Sequence, residues 1–569
     1  MRTNYGSFIG LNFFNSICEF ENYPCIFTIV VHHLINSKQM NTLSIKNGFL
    51  CLAILFNLLI FGSCQLNKVE IKEFKFLEYD ISMIQAGYLQ GLYTINDVVD
   101  AYLERIKEID KSGPNLNSII QINPNLNIEI AKLDDELKKG HIRGPLHGIP
   151  ILLKDNIDMI DMPTTAGSRA MADSYPLSNS FIKEQLEKAG AVIIGKTNLS
   201  EWANFRGEGS TSGWSGLGGQ TKNPYILSCN PCGSSSGSAV AVSANLTILS
   251  IGTETNGSIV CPANNNGIVG IKPTVGLVSR SGIIPISHTQ DTPGPMARTV
   301  EDAVICLGVL TGIDSTDNKS LMSEGKFHTD YTKFLKQDGL KGKRVGIYKG
   351  AFNINNEVDS IMYEAIEHIK NQGAEVIEID SLMNSMVLQN SFLVMLYEYK
   401  KGLNDYFKSL GENATIKSID ELIAFNKTDS IELKYFNQKY LYMTNGMGDL
   451  SSEEYINALE YALQESRVNG IDRVMDEHNL DGLIAQTGGP AWQTDLVNGD
   501  RYELGSSSPA AISGYPSITV PMGNIKGLPV GISFFGKAWS EPILIEMAYA
   551  FEYETKHRIV PKFISTDSR

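Results

Sequence analysis

Gly148-Ile149-Pro150-Ile151-Leu152-Leu153-Lys154, then Phe181 to Lys188, then Ala191-Val192-Ile193-Ile194, is the stretch from which the fold is read. The first run is apolar almost throughout, as expected of a strand covered on both faces. Phe181 to Lys188 carries apolar residues at helical spacing and stops at Gly190, and the second apolar run follows at once. Strand, helix, strand with short Gly and Pro punctuation predicts a parallel crossover unit. The same order returns at Arg344 to Tyr348, Glu357 to Asn371 and Ala374 to Ile379. Further strands are expected at Thr247 to Gly252, Gly482 to Ile484, Ser517 to Val520 and Val530 to Phe534, with a closing helix from Pro542 to Glu552. The expectation is an α/β fold: a single large mixed, mainly parallel β-sheet covered by helices on both faces. A helical entry spans about Ser82 to Leu137, and residues 382–478 read as a helical insertion within a domain of residues 70–565.

With 43% hydrophobic and 20% charged residues, the 569-residue chain has an ordinary globular composition. Its formal charge of −15 and lack of a Lys/Arg block give no electrostatic reason to bind nucleic acid. The first 65 residues differ from the rest. Residues 1–39 fit no domain and read as an upstream extension or a disordered stretch, with Met40 as the expected start. Residues 40–64 combine Lys46, an apolar run from Phe49 to Phe61 and Gly62-Ser63-Cys64, the layout of an export signal with a lipoprotein processing site. On that reading Cys64 is lipidated, and the protein is exported to the cell envelope or periplasm and tethered to the membrane. Cys229-Asn230-Pro231-Cys232 has metal half-site spacing without a second half, so it reads as loop, with a disulfide between the two conceivable in an oxidising compartment.

The chemistry concentrates in three places. Ser258 follows Gly252-Thr253-Glu254-Thr255-Asn256-Gly257, where Gly257 permits a tight turn and the N–H groups of Thr255, Asn256, Gly257 and Ser258 can face one developing oxyanion. Serine needs a base. His147, His288 and His478 are scattered, whereas Lys154 ends an apolar strand, where desolvation favours the neutral amine. The alternative for Lys154 is a buried ion pair with a carboxylate such as Asp155. Ser234 can relay a proton between Ser258 and Lys154. Gly233-Ser234-Ser235-Ser236-Gly237 also matches the nucleophile elbow of α/β hydrolases, but that motif follows a strand, and two prolines precede it here.

Lys154, Ser234 and Ser258, with the Gly/Ser-rich block from Gly233 to Pro262, resemble the amidase signature family over about residues 75–560. Asn198 to Gly207, Gly219 to Tyr225 and Gln290 to Pro295 bring the resemblance closest to its bacterial peptide amidases. The resemblance implies that Lys154 is general base, that Ser234 bridges through a cis peptide bond and that Ser258 forms the acyl-enzyme. It also implies hydrolysis of carboxamides, C-terminal peptide amides among them, to acid and ammonia, with no metal or organic cofactor. The substrate is a small-molecule or peptide amide, and nothing in the chain sets an oligomeric state. Asn256 stands where those enzymes carry Asp. Two other readings stay open: the glutaminase subunit of a tRNA amidotransferase, against which Val260 replaces the usual arginine, and a non-catalytic envelope binding lipoprotein.

Overall fold

The computed structural model describes residues 73–565. The export signal and Cys64 lie outside them. Among the described residues thirteen strands are formed: β1 (Ile119–Ile122), β2 (Pro150–Lys154), β3 (Val192–Thr197), β4 (Trp214–Ser215), β5 (Gly219–Gln220), β6 (Leu249–Glu254), β7 (Val269–Lys272), β8 (Thr292–Ala297), β9 (Arg344–Tyr348), β10 (Glu375–Ile379), β11 (Gly482–Gln486), β12 (Ser517–Ile525) and β13 (Leu528–Phe535). Eleven make one mixed sheet in the order β1-β3-β2-β6-β8-β7-β12-β13-β11-β9-β10, and β4 and β5 form a separate ribbon. Its parallel ladders are the two expected wings, β3-β2-β6 and β11-β9-β10. The pairings between the wings, and that of β1 on β3, are antiparallel. β12 and β13 are antiparallel because they are joined by a tight turn through Lys526 (φ 52°) and Gly527 (φ 85°), and a two-residue connection with both φ positive returns a strand antiparallel.

Alternation along the strands assigns the two faces. In the register of β2 on β6, Leu152 lies beside Ser250 and Leu153 beside Ile251. Ser250 Oγ donates to the Ser238 carbonyl of helix Ser236–Ser243, so Ser250, Leu152 and Lys154 belong to that helix's side of the sheet. Leu249 and Ile251 point the other way and join the main core with Val300, Val304 and Leu307 of helix Val300–Leu310. Helix Glu541–Thr555 packs on that helix and on β12, extending the same layer. Between β10 and β11 the described chain is helical, in Ser385–Ser409, Ile419–Thr428, Lys439–Gly446, Glu453–Leu463 and Asp472–His478. The helical entry is interrupted by edge strand β1, whose four residues are too few for an alternating pattern to stand out.

Candidate active site

Lys154 is the last residue of β2, and β6 runs parallel beside it, so Lys154 and Thr253 meet at the carboxyl ends of the two strands. That is where open α/β sheets place their sites. The Gly233–Ser236 loop enters from the helix side. It leads into helix Ser236–Ser243, whose side chains are all buried and small enough to let its backbone close on the sheet. At Gly237 an added Cβ would lie 2.2 Å from the Ser118 carbonyl and 2.4 Å from that of Asn198, so no larger residue fits. The residues before Ser234 are loop, which removes the strand an α/β-hydrolase elbow needs. The Gly233–Ser234 peptide bond is cis.

Lys154 Nζ is fully buried, 2.8 Å from Ser234 Oγ, 3.0 Å from Ser235 Oγ, 2.9 Å from Thr253 Oγ1 and 3.2 Å from the Thr253 carbonyl oxygen. Ser235 and Thr253 are not evident from the sequence, because the turned loop aims the first at the amine and the parallel pairing of β6 with β2 brings up the second. Ser235 Oγ donates to the Thr253 carbonyl at 3.1 Å, and so it accepts from Lys154. A neutral amine has two N–H groups and one lone pair. With Ser235 Oγ and the Thr253 carbonyl taking the donors, the lone pair is left for a hydroxyl such as that of Ser234. Burial drives the Lys154 pKa down to about 7, against the pull of the Asp291 and Glu254 carboxylates. The partner of Asp155 is a different lysine: Lys196 Nζ lies 3.3 Å from Asp155, with both side chains fully buried. The alternative ion-pair reading of Lys154 with Asp155 therefore does not hold.

Ser258 is 9% exposed. Its carbonyl accepts from the Ser235 N–H at 3.1 Å, which ties the two serine loops together. Gly257 adopts φ 85°, the left-handed turn expected of it. Glu254 Oε2 takes the N–H groups of Ile259 (2.8 Å) and Val260 (3.0 Å), fixing the residues just beyond Ser258. Thr255 Oγ1 donates to Asp291 at 2.6 Å. Asp291 also accepts from the Ile286 and Ser287 N–H groups, and burial nevertheless raises its pKa to about 6. Asn256 donates to Ser508 Oγ (3.1 Å) and accepts from Ser507 Oγ (2.7 Å), so its amide holds the turn to the 507–508 segment. A cavity of about 510 Å³ borders Asn156, Thr253, Thr255 and Asp291 and is walled by Ile283 to Ile286 and Tyr406.

His147 hydrogen-bonds the Leu133 carbonyl, His288 lies 3.3 Å from Glu398 and His478 ends a helix; none is brought to Lys154. The conceivable Cys229–Cys232 disulfide is replaced by Cys232–Cys261, with Cα atoms 6.0 Å apart. Cys229 bridges to Gln493 and packs with Tyr225, Ile226 and Ala491, whereas Cys232 turns back towards Cys261.

The amidase family model matches residues 97–545. This chain belongs to the amidase family. A "Probable amidase" of Arabidopsis thaliana is 40% identical over 509 residues, 86% of this chain and 93% of its own. The peptide amidase solved with the competitive inhibitor chymostatin is 47% identical, with a TM-score of 0.84 over 86% of this amidase and 100% of that chain. The native peptide amidase of Stenotrophomonas maltophilia is 46% identical, with a TM-score of 0.83 over 86% of this chain and 100% of its own. The A subunit of the Caldanaerobacter subterraneus glutamyl-tRNA(Gln) amidotransferase is 33% identical over 481 residues, more distant than these. The amidase is thus a hydrolase of amide C–N bonds, and the amidotransferase reading is disfavoured.

Proposed function

We propose that Ser258, Ser234 and Lys154 carry the hydrolysis and that the amides cleaved are C-terminal carboxamides of peptides. The observation that carries the assignment is the buried 2.8 Å contact of Lys154 with Ser234, at an amine whose pKa burial brings to about 7. In this mechanism Ser258 Oγ attacks the carboxamide carbon while its proton passes through the Ser234 hydroxyl to the neutral Lys154. The N–H groups of Thr255, Asn256, Gly257 and Ser258 face the oxyanion, a placement in which each donor is worth about 3 kcal/mol of barrier. As the C–N bond breaks, Lys154 returns the proton through Ser234 to the leaving nitrogen, and ammonia departs. Water then gives its proton to the same relay, attacks the acyl carbon and frees Ser258 with the acid as product.

Support for the peptide substrate is the 47% identity to a peptide amidase over 86% of this chain. Ammonia release from amidated peptides, free amino-acid amides and glutamine is the test. Peptide amides should give the highest kcat/KM, and preferential turnover of glutamine would overturn the substrate assignment. We also propose export and a lipid tether at Cys64. In membrane fractionation the full chain should sediment with membranes and Cys64→Ala should not; equal partition of the two would overturn the tether.

A further inference from the structure

We propose that the Cys232–Cys261 cystine is a positioning device for the reaction, so that turnover requires the oxidised protein; this rests on the assignment of Ser258 and Ser234 above. Its two halves frame the site. Cys232 is two residues before Ser234 and Cys261 three after Ser258, and the bond closes a separation of 29 residues. It therefore joins the loop of the relay hydroxyl to the first turn of helix Val260–Asn265, which follows the nucleophile, each half within three residues of the group that must be placed.

The backbone at Cys232 points the same way. Its φ is +58°, in the left-handed region disfavoured for any residue carrying a Cβ. A chain that needed only the turn would be served by glycine, as at Gly257. A cysteine held there has a use for its side chain, and Cys261 is that use. Both cysteines are buried. The remaining ties are hydrogen bonds: Ser236 Oγ to the Cys232 carbonyl at 2.6 Å, Asn266 Nδ2 to the Pro231 carbonyl at 2.8 Å, and Ser235 N to the Ser258 carbonyl at 3.1 Å. They hold the loops adjacent. The Cys232 N–H also donates to Asn230 Oδ1 at 2.8 Å, so both backbone polar groups of Cys232 are held, and the cystine adds the covalent tie from its side chain to Cys261.

Reduction breaks one S–S bond and yields two thiols, the two electrons coming from an added phosphine that leaves as its oxide. The test is the full chain before and after phosphine treatment, with thiols counted by mass spectrometry after alkylation. On an amidated peptide the reduced protein should lose about 10- to 100-fold in kcat, the penalty of misplacing reacting groups by about 1 Å, while KM stays within about twofold. Reoxidation should restore kcat. The double variant Cys232→Gly with Cys261→Ala, in which glycine relieves the backbone, should show the same low kcat and no response to phosphine. Unchanged kcat in fully reduced protein would overturn the proposal. So would a melting midpoint below the assay temperature, which would make the cystine a stability element only. Should the oxidised protein release no ammonia from any amide, the rate at which a fluorophosphonate labels Ser258 decides instead: slower labelling after reduction supports the positioning role, and an equal rate overturns it.

Discussion

At the scale of single residues the site turns on one amine. As the proposed base Lys154 must be neutral to take a proton, and burial lowers its pKa from the ordinary 10.5 to about 7. The ammonium form prevails below that value, so kcat/KM should rise with pH through about 7 and then level. Replacing Ser235 by Ala removes an acceptor that favours the ammonium and leaves the Thr253 N–H without its 3.2 Å partner. Ser235→Ala should therefore move the rising limb to lower pH and cost about tenfold in kcat, read from the pH–rate profile. A limb that stays in place would mean that Ser235 does not set the state of Lys154. Lys154 was legible in the sequence because it ends an apolar strand upstream of the Gly/Ser-rich block that carries Ser234 and Ser258; the strand-end position alone does not decide its role, since Lys196, also near the end of an apolar strand, pairs with Asp155 instead. Ser235 was not legible, since loop geometry turns it inward, nor was Thr253, since the register of β6 on β2 brings it to the amine, and the Cys232–Cys261 pairing was hidden because a Cys-x-x-Cys spacing draws attention to the wrong partner.

At the scale of elements, the helical segment between β10 and β11 is bound to the Glu201 to Arg206 stretch by buried charge. Arg206 Nη1 lies 2.9 Å from Glu201 and 3.1 Å from Glu432, all three side chains nearly inaccessible, and its guanidinium sits 5.3 Å from the centre of the Trp214 ring. Arg206→Met would leave the buried Glu432 carboxylate without its cation, beside a Glu201 whose pKa burial already raises well above the usual carboxylate range, at a cost of about 3 to 5 kcal/mol. Denaturant unfolding should show this as a lower midpoint, and a loss below about 1 kcal/mol would mean that the cluster relaxes into solvent. The parallel wings were readable from apolar runs separated by amphipathic helices. The antiparallel centre was less so: Ile525-Lys526-Gly527-Leu528 carries the hairpin signal in two residues only, between strands whose apolar character fits either sense.

At the scale of the whole molecule, contacts between distant parts of the chain close the fold. Arg558 bonds both carboxylate oxygens of Glu78 (2.8 and 2.7 Å), and Asp302 accepts from the Ile81 N–H at 3.1 Å. Burial raises the Asp302 pKa from 3.8 to about 7. An acid raised on folding binds its proton more tightly in the native state, so its contribution is fully present below about 4 and is lost as pH rises through about 7. Asp302→Asn keeps an acceptor without the charge. Denaturant unfolding should show the variant gaining on the parent protein between pH 5 and pH 8, by about 3 kcal/mol at most; a constant difference would mean that Asp302 does not titrate in that window. The central claim is that Ser258 is activated by Lys154 through Ser234. It is tested most directly by mapping the site of fluorophosphonate labelling in the oxidised protein and in its Lys154→Ala variant. The adduct should sit on Ser258, form faster as pH rises through about 7 and be nearly lost in Lys154→Ala. An adduct on Ser234 or Ser235, or undiminished labelling of Ser258 without Lys154, would contradict it.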